Sequence, residues 1–179
     1  MLDLSDTALV VIDVQGKLAT LMYRKDYLFR NLRNMIRGAK TLGLPIIWNE
    51  QLPDKLGPTI SEIKNILLDM QPIVKNSFSC CENKTFLQRL RELNPKKLLV
   101  VGIETHVCVY QTSMDLLDSG YEVYIVADAT SSRTEDNYRF ALERMRSEGV
   151  KMTTVEMALF ELLKIAEGDK FKEIINIIK

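Results

Sequence analysis

Three residues in this chain sit where chemistry is done in α/β proteins. Asp13 closes the apolar run Val11-Ile12-Asp13-Val14-Gln15. A carboxylate ending such a run must be paired or solvated, or its pKa rises. An Asp that caps the next turn gives the same pattern. Lys75 ends Pro72-Ile73-Val74-Lys75. There it can hold a carboxylate and favour a thiolate, although most lysines are simply solvated. Cys108 follows Gly102-Ile103-Glu104-Thr105-His106-Val107. The spacing puts it in the first turn of a helix, where free N–H groups and the helix dipole favour a thiolate and can hold a developing oxyanion. A buried structural cysteine reads the same way.

These residues need a scaffold, and the periodicity supplies one. Short apolar runs at Thr7–Val14, Pro45–Asn49, Pro72–Lys75, Lys97–Ile103, Glu122–Ala127 and Lys151–Val155 predict strands buried on both faces. Helical spacing falls between them, at Tyr27–Leu42, Ser61–Leu68, Thr85–Leu93, His106–Asp118, Thr134–Ser147 and Met157–Lys164. The segments Lys17–Asp26 and Gln51–Ser61 read as loops. Phe171, Ile174, Ile175 and Ile178 form one stripe that must dock on the domain or on a partner subunit. The expected fold is α/β, a three-layer α/β/α arrangement (Rossmann-like) with a six-stranded, mainly parallel sheet in one domain over residues 1–179. In such a sheet the site lies beyond the carboxyl ends of the strands, where strand order reverses.

Composition narrows the functions. Lys+Arg and Asp+Glu both number 24, for a formal net charge of zero. That argues against a nucleic-acid or membrane-surface partner. No apolar run approaches the roughly 20 residues of a membrane span. The acidic start lacks a secretory pattern, and three cysteines make no disulfide framework. A cytoplasmic location is the default expectation. No G-x-G-x-x-G or P-loop occurs, so a nucleotide-binding reading is weak.

Taken in order, Asp at the end of the first strand, Lys at the end of the third and Gly102–Val109 (GIETHVCV) resemble the isochorismatase-like cysteine hydrolases. Val123–Thr130 (VYIVADAT) is also similar. With Asn49-Glu50-Gln51, Leu56-Gly57, Thr59, the stretch through Arg133 and the FKEI tail, the chain looks closest to the isochorismatase domain-containing proteins. The resemblance implies Cys108 as nucleophile, Asp13 as general base and Lys75 as third member of a triad. It implies a non-proline cis peptide between Ile103 and Glu104, with the Glu104 and Cys108 N–H groups forming an oxyanion hole. The implied reaction is hydrolysis of a small amide or acyl substrate through a thioester. The alternatives are a non-catalytic interaction protein on the same scaffold and an isochorismate-type vinyl-ether hydrolase. Gln15, Trp48, Gln51, Phe78 and His106 are candidates to line the substrate pocket. Nicotinamidases of this family bind a metal through an Asp and His residues after the second strand. Here that region reads Trp48-Asn49-Glu50-Gln51 and the chain has one His, so no metal and no cofactor are expected. A homo-oligomer is expected from the resemblance and the apolar tail.

Overall fold

A computed structural model describes residues 1–179. The central sheet has six strands: β1 (Thr7–Ile12), β2 (Ile46–Gln51), β3 (Ile73–Lys75), β4 (Lys97–Ile103), β5 (Glu122–Ser131) and β6 (Lys151–Thr153). Their order is β3-β2-β1-β4-β5-β6, and every neighbouring pair is parallel. β1 is buried along its whole length, as its near-continuous apolar sequence requires.

Alternate residues of each strand feed two cores. Leu9, Val11, Trp48, Leu99 and Val101 pack on one face, against α2 (Lys25–Leu42), α8 (Val155–Leu163) and α9 (Gly168–Ile178). Ala8, Val10, Ile12, Ile47 and Val100 pack on the other, against α5 (Lys84–Leu93), α6 (Tyr110–Asp118) and α7 (Glu135–Ser147). The fold is a three-layer α/β/α sandwich. Gly43 ends α2 with φ 78°, the left-handed conformation of a helix C-cap. The tail stripe docks within the chain, because Ile174 is fully buried and α9 packs on α2 and α8.

Several boundaries differ from the sequence reading, each for a local reason. The two expected loops carry short helices, α1 (Gly16–Thr20) and α3 (Pro53–Leu56), while the helix expected at Ser61–Leu68 is cut short as α4 (Ser61–Lys64). β6 stops at Thr153 because Thr154 caps α8, accepting a hydrogen bond from the Met157 N–H. The helix after β4 opens with a π turn, Thr105–Val109, before α6 begins at Tyr110. β5 runs on to Ser131, with a bulge that strand periodicity hides. Between the Val100–Ile125 and Gly102–Thr130 pairs, β4 advances two residues and β5 five.

Gly102 lies at this bulge, where β4 leaves β1. Its φ is 118°, and a Cβ there would come within 2.0 Å of the Ile12 carbonyl oxygen. Only glycine lets the two main chains approach this closely.

Candidate active site

Strand order reverses between β1 and β4, so the crevice lies beyond the ends of these two strands. Asp13 follows β1 with φ 52°, a left-handed conformation that Asp tolerates better than most residues. Its N–H donates to the Asn49 carbonyl at 3.2 Å, which ties the turn to β2. Lys75 ends β3 in register with Gln51 of β2. Its stem spans the width of β2 to reach Asp13.

The three residues meet. Lys75 Nζ donates to Asp13 Oδ2 at 2.7 Å, with both side chains almost wholly buried. The same ammonium contacts Gln51 Oε1 at 3.0 Å and the Ser77 and Phe78 carbonyls at 3.0 and 3.1 Å. It thus meets four acceptors with three donors. Cys108, on the π turn, donates its thiol hydrogen to Gln51 Oε1 at 3.2 Å. Asp13 Oδ1 is buried with no hydrogen-bond partner. The site therefore holds one unused carboxylate oxygen beside a thiol parked on an amide.

Burial raises the Asp13 pKa more than Lys75 lowers it. Burial, then the Asp13 charge, pushes the Cys108 thiol well above its ordinary value, and Lys75 only partly offsets this. The direction is physically sound: a thiolate here would be a second buried negative charge beside a carboxylate. The sequence reading had the thiolate favoured by a helix N-terminus and a nearby cation. Two facts change that. Cys108 lies inside a π turn, and Lys75 is already committed to Asp13. The resting site holds a neutral thiol next to a buried carboxylate.

The candidate pocket residues divide. Gln51 bridges Lys75 and Cys108. Gln15 is fully buried but turned away: its Nε2 donates to the Gln51 and Gly57 carbonyls at 3.1 and 2.7 Å, and its Oε1 accepts from the Gln51 N–H at 2.6 Å. It clamps the β2–α3 connection. The Trp48 indole packs on the α2 side of the sheet rather than toward the thiol, and donates to Thr59 Oγ1 at 2.9 Å. Phe78 reaches the site only through its carbonyl, and its ring is half exposed. His106 turns to Ser132, with Nδ1 2.9 Å from the Ser132 hydroxyl, and borders a cleft of about 260 Å³ with Tyr110, Asn137, Phe140 and Arg144.

The backbone around the thiol offers a free donor at Glu104. The Ile103–Glu104 peptide is cis. The Glu104 N–H finds no acceptor within the chain. The Glu104 carboxylate turns to Arg133, accepting from its N–H at 3.2 Å and its Nε at 3.0 Å. Arg133, Ser132 and the Ser77 carbonyl were not singled out in the sequence. The ADATSSR segment was visible, but nothing in it showed that the β5 bulge would carry Arg133 to Glu104.

Cys80 is buried, and its N–H donates to Thr112 Oγ1. Burial pushes the Cys80 and Cys81 thiols up to about 12, so both stay protonated at neutral pH. The largest cleft, about 400 Å³, runs along the open edge of β2 between Asp69–Gln71 and α5, away from the three site residues. No group of three or more His, Cys, Asp or Glu is placed to hold a metal ion. No helix is long and apolar enough to cross a membrane.

Known proteins resemble this chain in sequence and fold. The isochorismatase domain model matches residues 7–157. Isochorismatase family protein 1B of Dictyostelium discoideum is 36% identical over 97% of this chain and 86% of its own length. Isochorismatase domain-containing protein 2 of Xenopus laevis is 43% identical over 80% of this chain and 69% of its own. A solved structure described as MAR1 ribonuclease from Caenorhabditis elegans superposes with a TM-score of 0.91 at 34% identity, covering 99% of this chain and 91% of that one. The chain belongs to the isochorismatase family.

Proposed function

We propose that this protein is a cysteine hydrolase that cleaves a small amide or acyl compound through a thioester. One observation carries the reading: a buried thiol, a buried carboxylate with a free oxygen, and a lysine locking that carboxylate, all at the switch point of the sheet. The thiol proton leaves the Gln51 amide and passes to Asp13 Oδ1 as sulfur attacks the substrate carbonyl. Asp13 is a competent base because its pKa is raised toward working pH. The carbonyl oxygen becomes an oxyanion, held by the Glu104 N–H and the Cys108 N–H. Asp13 then gives its proton to the leaving amine or alkoxide. Water, deprotonated by Asp13, attacks the thioester and releases the acid and the free thiol. Lys75 moves no proton. It fixes Asp13 and balances its charge.

The ribonuclease description of one solved relative suggests another substrate. The balanced charge of 24 basic and 24 acidic residues supports a small molecule instead. A homo-oligomer belongs to the same proposal, carried by the exposed apolar side chains Leu68, Phe140, Met157 and Ile165. A sedimentation mass of one chain would remove that part.

The thioester is directly testable with p-nitrophenyl acetate as a generic acyl donor. The expected result is a burst of nitrophenol with one acetyl group per chain, mapped by mass to Cys108. Acetyl groups confined to Cys81 or to lysines would sink the mechanism.

A further inference from the structure

The substrate's charge is readable from what surrounds the thiol. We infer that the reacting end of the substrate is uncharged, and that the cleft rejects carboxylates close to the scissile bond. This rests on the hydrolase reading above and adds a substrate class to it. The only cation among the buried site groups is Lys75. Its three donors already face Asp13 Oδ2, Gln51 Oε1 and the Ser77 and Phe78 carbonyls. No donor is left for a substrate carboxylate. The next cation, Arg133, is paired with Glu104 through its N–H and Nε, and the rest of its guanidinium is half exposed to solvent. His106 is engaged by Ser132. Lys17 and Lys55, on the flanking α1 and α3, are solvent-exposed and contact none of these groups.

The carboxylates of the site are Asp13 and Glu104, each held by one of these cations. Asp13 presents its buried, unpartnered Oδ1. Glu104 adds a mostly buried carboxylate at the residue whose N–H is the free donor. A substrate carboxylate near the carbonyl would enter a crevice in which each cation is already paired with a carboxylate and one carboxylate oxygen, Asp13 Oδ1, is unpartnered. Desolvating it there has no compensation. A neutral amide or ester loses little on entry, and its N–H or O–H groups can use the spare carboxylate oxygens. The same argument makes a dicarboxylate such as isochorismate a poor fit.

The test uses two alkylating agents of nearly equal size, iodoacetamide and iodoacetate. In each, sulfur displaces iodide and forms one S–C bond. Rates at Cys108 are followed by peptide mass mapping on the native protein and on the urea-unfolded chain. Both reagents meet the same thiolate fraction, so their rate ratio is independent of the thiol pKa. The expected result is a native preference for iodoacetamide about tenfold or more above that of the unfolded chain. Asp13→Asn should bring the ratio back toward the unfolded value. A native ratio equal to or below the unfolded one overturns this inference and leaves the nucleophile standing. So does a preference undiminished in Asp13→Asn. If native Cys108 reacts with neither reagent while the unfolded chain reacts with both, the accessible nucleophile is lost, and this inference falls with it.

Discussion

Exchange of Cys108 for alanine is expected to lower turnover of any substrate of this protein by about 10⁴-fold, with the fold unchanged. The size follows from role. Removing a nucleophile removes the covalent route entirely, and what remains is binding and oxyanion stabilisation. The fold should tolerate the change because the thiol makes one weak hydrogen bond, to Gln51, and Ala removes a single heavy atom. Thermal unfolding of the variant should stay within a few degrees of the parent, while the acetyl burst disappears. A variant that unfolds normally and still releases nitrophenol in a burst would place the nucleophile elsewhere.

Lys75→Met should have the largest effect on stability. It keeps the length of the stem and removes the charge, so Asp13 is left buried without its only ion-pair partner. Breaking one side of a buried pair typically costs about 3–5 kcal/mol. The loss also has a sign in pH. Asp13 already ionises above the usual carboxylate range, because burial outweighs Lys75. An acid whose folded pKa exceeds its unfolded value of about 3.9 destabilises the fold as pH rises through that interval. Without Lys75 the interval widens. The deficit of the variant should therefore be smallest below about pH 4, where Asp13 is neutral in both states, and should grow toward neutrality. Urea unfolding at both ends of that range measures it. A deficit independent of pH would mean that the loss comes from packing around the stem rather than from a stranded carboxylate. Activity should fall as well, since a protonated Asp13 cannot take the thiol proton.

Much of this site was legible because strands of a parallel sheet end together. Asp13, Lys75 and Cys108 are far apart in sequence, yet each follows an apolar run, and a reversal of strand order brings such positions to one crevice. Two glutamines show where legibility stops. Gln15 and Gln51 both lie just past an apolar run, and their type and placement are alike. Only their folded partners separate them: Gln15 bonds the Gln51 and Gly57 backbone and clamps a loop, while Gln51 accepts from the thiol. Short helices such as α1 and α3 carry too few residues for a period to show. The β5 bulge, Ala127-Asp128-Ala129, is polar enough at its centre to look like a strand's end. The raised thiol pKa could not be read from Cys108's neighbours in sequence. It comes from burial and from Asp13, which is 95 residues away along the chain.

The contact at Gly102 bears on how the site persists as the sequence drifts. Here no side chain separates β1 from β4, and the main chain of one strand rests on that of the other. The placement of Asp13 relative to the turn bearing Cys108 is thus inherited from ladder hydrogen bonds and a backbone contact. Exchanges among Val, Ile and Leu in the two cores alter packing by fractions of an ångström, yet leave that spacing untouched. The frame of the site is insulated from ordinary hydrophobic turnover, and the loops can diverge around it. A relative could therefore lose most of its identity to this chain and keep this geometry, so long as the glycine stays.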